Sequence, residues 1–248
     1  MDNHLLQVQG LSKSFGAVFA NRNFDITVRR GSIHALIGPN GAGKTTAINI
    51  LSGELIPDSG SIIFDGVNIT SLKPYRRVKR GLARSFQVTS IFEEMTVEEN
   101  MALSIVSKHG HNFRFWKHSL QTPAVMKGLD SALQQVGLDE RRMTKAKHLS
   151  HGEKRQLEVG MALSGKPKLL MLDEPMAGMG PGGTVEMSKL IRRLNQTMTI
   201  LLIEHDMEVI FSLADTITVL VSGEAIATGN PDEIRSNDRV RSAYLGDE

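Results

Sequence analysis

The 248-residue sequence contains no cysteine. Disulfides, thiolate zinc sites, iron–sulfur clusters and a cysteine nucleophile are excluded with it. The absence fits a reducing compartment without requiring one. Long apolar runs are missing too. Leu169–Leu172 and Thr199–Ile203 are strand-length, far below the roughly 20 residues of a membrane-spanning helix. Met1 to Gly10 lack the basic segment and apolar stretch of a secretory leader, so none is expected. Neither sign of charge dominates. The formal net charge is +2, so bulk electrostatics calls for neither nucleic acid nor an anionic membrane. There is no internal repeat and no low-complexity tract. A chain of this kind serves a membrane only through partners.

The length suits one well-buried domain, or a core with an inserted subdomain. Phe24–Val28 alternates and meets a turn at Arg29-Arg30-Gly31. Ile33–Ile37 is nearly all apolar, the pattern of a strand buried on both faces. A glycine-rich loop follows, then a helix-like stretch from Lys44 to Leu51 and a short strand at Ser61–Phe64. From about Val88 to Gly165 the pattern is mostly helical. Leu129, Ala132, Leu133 and Val136 share one helix face, which Gly137 ends. His109 to Pro123 is irregular and reads as a partly exposed linker. The last third alternates again: a strand at Leu169–Leu172, a helix marked by Met187, Leu190, Ile191 and Leu194, then strands at Thr199–Ile203 and Thr216–Val221. Such alternation implies a largely parallel sheet covered by helices. The expected division is an α/β core of residues 1–87 and 166–248 with a helical insertion at 88–165.

Gly38-Pro39-Asn40-Gly41-Ala42-Gly43-Lys44-Thr45 fits G-x-x-x-x-G-K-[ST] in full, with a buried strand before it and a helix after. The glycines permit backbone angles that a Cβ would block, and their N–H groups can form an anion nest. The positive end of the helix dipole then faces the phosphates. Lys44 is expected to reach the β- and γ-phosphates and the Thr45 hydroxyl to ligate Mg²⁺, with Thr46 completing the nucleotide-binding set. Leu169 to Leu172 lead into Asp173 and Glu174. Asp173 sits at a strand's C-terminal end, where open α/β sheets bind ligands, and is expected to hold Mg²⁺. Glu174 is placed to polarise a water near the γ-phosphate.

Leu149-Ser150-His151-Gly152-Glu153 resembles the L-S-G-G-Q signature of ABC ATPases and lies about twenty residues before Asp173, as in that family. Gln87 matches the family's Q-loop, His205 its switch histidine, and Phe15 the aromatic that stacks on adenine. The resemblance implies a P-loop NTPase (RecA-like) α/β core with an N-terminal antiparallel β subdomain and an inserted α-helical subdomain. It also implies two such chains facing head to tail, with each ATP between one P-loop and the other chain's signature loop. Ser150, Gly152 and Glu153 would contact nucleotide held by the partner. Glu174 would act as general base, His205 would hold the γ-phosphate, and Gln87 would join Thr45 and Asp173 at the metal and relay nucleotide state. The implied partners are a second ABC ATPase subunit, two integral membrane permease subunits and, indirectly, a substrate-binding protein, with no nucleic acid. The implied location is the cytoplasmic face of a bacterial inner membrane. His151 for the first signature glycine, Glu153 for glutamine, and Gly180 for the last D-loop aspartate are departures from the pattern.

Gly81 to Gln87, Leu149 to Leu163, Glu174 to Gly180, Ile203 to Asp206 and Ala243 to Glu248 resemble the ATPases of branched-chain amino-acid importers. The urea-importer ATPase is a close alternative. A soluble ABC ATPase and a P-loop GTPase or kinase are further ones. The first usually carries two cassettes or long coiled-coil inserts, which this chain lacks, and no N-K-x-D motif supports the second. Lys73, Arg76, Arg77, Lys79, Arg80 and Arg84 read as a solvated basic face. His109, His111 and His118 lack the carboxylate or cysteine support of a metal site. Phe113, Phe115 and Trp116 either cap the insertion or meet a membrane subunit.

Overall fold

The computed structural model describes residues 3–85, 91–108 and 123–245, which two β-sheets organise. Strands β1 (His4–Phe15), β2 (Val18–Arg29), β4 (Ser59–Phe64) and β5 (Val67–Asn68) form an antiparallel sheet in the order β2-β1-β4-β5. Strands β3 (Ile33–Ile37), β6 (Leu82–Ser85), β7 (Leu169–Asp173), β8 (Thr199–Ile203), β9 (Thr216–Val221) and β10 (Glu224–Gly229) form the second, in the order β10-β9-β3-β8-β7-β6. Its pairings are parallel except that of β10 with β9.

Every residue of β3, β7 and β8 is buried. The side chains of β7 and β8 alternate between two cores, while Ala35 and Ile37 of β3 pack in a third. Leu170, Leu172, Ile200 and Leu202 enter one that is shared with helices. Leu169, Met171, Leu201 and Ile203 enter another, shared with β1, β2 and β4. A strand covered on both faces calls for apolar residues, and these runs supply them at every position except His34, Asp173 and Thr199.

Helix α1 (Lys44–Ser52) follows β3, and α2 (Pro74–Lys79) precedes β6. Then come α3 (Val97–Lys108), α4 (Pro123–Val136) and α5 (His151–Leu163), which pack on one another. Leu129, Ala132, Leu133 and Val136 of α4 are buried, and Gly137, at φ 73°, ends the helix in the left-handed region. Helix α6 (Pro181–Asn195) buries Met187, Leu190, Ile191 and Leu194 against the sheet. Short α7 (Met207–Leu213), α8 (Pro231–Arg235) and α9 (Asp238–Leu245) complete the order. No described helix is long and apolar enough to cross a membrane.

The basic run is not one solvated face. Lys73, Arg76, Lys79 and Arg80 are exposed, but Arg77 is buried. Its guanidinium donates to the carbonyls of Ile50 (2.7 Å), Leu51 (2.8 Å), Thr70 (2.8 Å) and Leu72 (2.9 Å). Ile50 and Leu51 lie in the last turn of α1, where unpaired carbonyls favour a cation. Arg84, on β6, is half-buried as a residue, with its side chain only 8% exposed.

His34 puts a polar group inside β3. It is 1% exposed, and its Nε2 lies 2.8 Å from Thr218 Oγ1 on β9. Burial, helped by the charge of Arg29, lowers its pKa from 6.5 to about 4. The folded chain therefore keeps His34 neutral where the unfolded chain protonates it. Its contribution is complete above about pH 6.5 and is lost as pH falls toward about 4. A shift of this size corresponds to about 3 kcal/mol. Urea unfolding across that window should show stability falling with pH, and His34→Gln should flatten the slope.

Candidate functional site

Strands β3, β8 and β7 are neighbours, run parallel and end at one edge of the sheet. Whatever follows them in sequence meets there. An open parallel sheet leaves its binding crevice at this edge.

Residues Gly38 to Gly43 carry β3 into α1. Asn40, Gly41 and Thr45 are exposed. Gly43 caps α1 with φ 100° and no side chain caps the first turn, so its N–H groups are available to an anion. The loop is braced from behind. Ala42 accepts from the Gly223 N–H at 2.9 Å, the Gly223 carbonyl accepts from Arg22 N–H at 2.9 Å, and Asn21 Nδ2 donates to the Gly43 carbonyl at 3.3 Å. Lys44 Nζ donates to the carbonyls of Gly38 (2.6 Å) and Pro39 (3.0 Å). Partial burial lowers the Lys44 pKa, and the charges of Glu174 and Asp173 oppose that shift. Tyr244 of α9 meets the same loop. Burial pushes its phenol up to about 12, against a hydrogen bond from the Gly38 backbone.

At the end of β7, Asp173 is 4% exposed, and its Oδ2 accepts from Arg84 Nη2 at 2.8 Å. Glu174 has φ 47°, a left-handed conformation costly for a residue with a Cβ, by about 1–3 kcal/mol. Its N–H donates to the Ile203 carbonyl at 2.9 Å, which ties it to the end of β8. The residues that follow β8 are Glu204 and His205. His205 Nδ1 lies 4.0 Å from Glu174 Oε1 and 3.7 Å from Glu204 Oε2, and the ring is mostly open to solvent. Glu204 is buried and accepts from the N–H groups of Met176 (2.9 Å) and His205 (3.2 Å). Burial raises its pKa, and those two bonds and His205 oppose the rise.

Ser150 is the N-cap of α5. Its Oγ accepts from Glu153 N–H at 3.2 Å, and Glu153 Oε2 accepts from Ser150 N–H at 2.8 Å. This is a closed capping box, S-x-x-E, and it gives the unexpected glutamate a local structural use. Arg141 Nε holds the other carboxylate oxygen at 2.9 Å. The His151 ring covers Gly178 in the turn after Glu174: a Cβ on Gly178 would lie 3.5 Å from His151 Cε1. Phe15, at the tip of the β1–β2 hairpin, is 53% exposed with Lys13 Nζ 5.8 Å from its ring centroid. It therefore has apolar area to offer a planar ligand.

The structure thus draws together Gly38 to Thr46, Asp173, Glu174 and His205, and places Phe15, Ser150, Gly152 and Glu153 on separate exposed or half-buried positions. Gln87 lies outside the described residues, as do His109, His111, His118, Phe113, Phe115 and Trp116. Sequence reasoning missed Asn21, Gly223 and Glu204, and read Arg84 as part of a solvated face, whereas it pairs with Asp173. Only Glu204 carried a signal, as the residue between a buried strand and His205.

The chain matches the family model of ABC transporters over residues 21–177. Residues 226–248 match a model described as branched-chain amino acid ATP-binding cassette transporter. The chain is 37% identical to the high-affinity branched-chain amino acid transport ATP-binding protein BraF of Pseudomonas aeruginosa, and the alignment covers 100% of both. It is 38% identical to the corresponding protein LivG of Escherichia coli (strain K12), again over 100% of both. Among solved structures it is similar to a nucleotide-free ATP-binding cassette from an ABC transporter, with TM-score 0.87 and 30% identity over 98% of this chain and 100% of that one. The ADP conformation of such a cassette gives TM-score 0.86 at 30% identity, covering 98% and 99%.

Gly43 is a position where the loop leaves no room for a side chain. A Cβ there would lie 2.1 Å from the Ala20 carbonyl oxygen, at a φ that L residues rarely adopt. Gly43→Ala should cost about 2–3 kcal/mol of stability and displace the first turn of α1. Thermal denaturation and titration with a fluorescent ATP analogue should both register it, with nucleotide affinity falling about tenfold or more.

Proposed function

The chain belongs to the ABC transporter family, and we propose that it binds and hydrolyses ATP to energise an importer of branched-chain or related amino acids. The observation that carries the reading is the convergence of Lys44, Glu174 and His205 at the ends of three adjacent parallel strands. The full-length likeness to BraF and LivG and the match of residues 226–248 favour the amino-acid branch over the urea alternative.

The residues present fit a triphosphate and its metal. The loop offers an uncapped helix start and open space over Gly41, where a Cβ would meet nothing within 4 Å. Thr45 and Asp173 supply the hard oxygen donors that Mg²⁺ prefers. Bound there, Mg²⁺ would neutralise charge between the β- and γ-phosphates. Lys44, now resting on loop carbonyls, exchanges them for phosphate oxygens. Phe15 stacks on the adenine. Glu174 takes a proton from a water as its oxygen bonds to the γ-phosphorus and the bond to the β-phosphate oxygen breaks, which gives ADP and phosphate. His205 steadies the γ-phosphate from the adjacent strand end, and Gln87 completes the metal side. Positioning and charge neutralisation carry this reaction more than covalent chemistry does.

In the same reading a second ATPase subunit, identical or paralogous, closes the site. Ser150 and Gly152 meet its γ-phosphate from the start of α5, and Glu153 holds that loop in shape. Residues 88–165 act as the helical insertion, and residues 1–87 with 166–248 as the core. Two permease subunits hold the pair at the cytoplasmic face of the inner membrane, with a substrate-binding protein beyond them.

Glu174→Gln tests the assignment. Loss of a general base should slow hydrolysis by about 10²–10⁴-fold while ATP still binds and accumulates a stable dimer, seen by size-exclusion chromatography. Normal turnover in this variant would put the base elsewhere and end the reading.

A further inference from the structure

Arg84 stands where a cation would be expected to matter most. On β6 it pairs in register with Met171 of β7, one strand out from the crevice. Its Nη2 lies 2.8 Å from Asp173 Oδ2, and its Nη1 lies 2.7 Å from Asn49 Oδ1 on α1 and 3.3 Å from Glu54 Oε2. Arg84 and Asp173 are nearly dry, at 8% and 5% side-chain exposure, whereas Glu54 is 39% exposed and well screened by water. One guanidinium thus joins the helix that begins at Lys44, the strand that ends at Asp173, and β6.

The charges facing this point can be named. Asp173 and Glu174 are negative, Lys44 and Arg84 positive, and His205 and Glu204 stand one strand over. Asp173, Glu174, Lys44 and Arg84 sum to zero. Lys44 and Arg84 thus offset Asp173 and Glu174, which weakens the pull on a free divalent cation, and one oxygen of Asp173 is already engaged. A bound triphosphate changes that balance by several charges at once.

We infer that Arg84 is an internal counter-ion for Asp173, a positioning residue that keeps the carboxylate from collecting free divalent cations, so that the metal enters with the nucleotide. The inference rests on the reading of Asp173 as a metal-side ligand. Arg84→Gln removes the charge but keeps an N–H donor for Asp173. Arg84→Lys keeps the charge.

The test is a Mn²⁺ titration followed by electron paramagnetic resonance on the full chain, with and without ATP. Without nucleotide, Arg84→Gln should bind Mn²⁺ about tenfold or more tightly than wild type, Arg84→Lys should match wild type, and adding Asp173→Asn should erase the gain. With ATP present, the gap between Arg84→Gln and wild type should shrink severalfold, because the phosphates dominate the field. No gain in Arg84→Gln, with Asp173→Asn still weakening Mn²⁺ in the ATP complex, overturns the counter-ion role and leaves the site intact. No effect of Asp173→Asn in the ATP complex overturns the metal reading itself. Should Arg84→Gln fail to fold, the wild type alone decides. Tight Mn²⁺ binding without nucleotide that Asp173→Asn abolishes would overturn the inference; a lack of such binding is the result expected.

Discussion

A parallel strand buried on both faces cannot carry charge along its length, so β3, β8 and β7 can present charged groups only where they end. That constraint shapes the whole crevice. The apolar residues of these strands fill three separate cores, and the charged residues come where the strands end: Lys44 after the loop from β3, Glu204 and His205 after β8, and Asp173 and Glu174 at the end of β7. His34 obeys the same rule by staying neutral inside β3. Since the strands are adjacent, residues from three distant parts of the sequence reach one edge without any loop having to travel.

Gathering three carboxylates at one edge has an electrostatic cost that the fold offsets locally. Asp173 leans on Arg84, and Glu204 on two backbone N–H groups. Glu174 is kept partly in solvent and locked by its backbone, in a left-handed conformation bonded to Ile203. A strained residue held by its surroundings belongs where geometry matters more than stability. The His151 ring then covers the turn that follows, so the start of α5 rests on the segment that carries Glu174.

The parts legible in the sequence are those written in local order. The P-loop, the apolar run into Asp173 and Glu174, the face of α4 and the strand before His205 all depend on neighbours within a few residues. Their element boundaries agree closely with the structure. What stayed hidden depends on contacts across the fold. Arg84 meets Asp173 across 89 positions, and Arg77 reaches the carbonyls of α1 across 26 and 27, so a basic run concealed two buried clamps. Asn21 and Gly223 brace the loop through backbone and amide bonds that have no sequence period. Glu153 looked like a departure from a motif because the motif concerns a ligand, whereas the residue completes a helix cap.

That cap has a further consequence. Ser150, Glu153 and Arg141 hold the start of α5 in one shape on the isolated chain, before any second subunit arrives. Ordering a loose segment on contact would cost about 1–2 kcal/mol per residue in chain entropy. In the proposed pair a loop already folded would avoid that loss, and docking would resemble the meeting of two rigid bodies. More of the free energy of nucleotide capture would then be left as mechanical work on whatever such a pair is attached to.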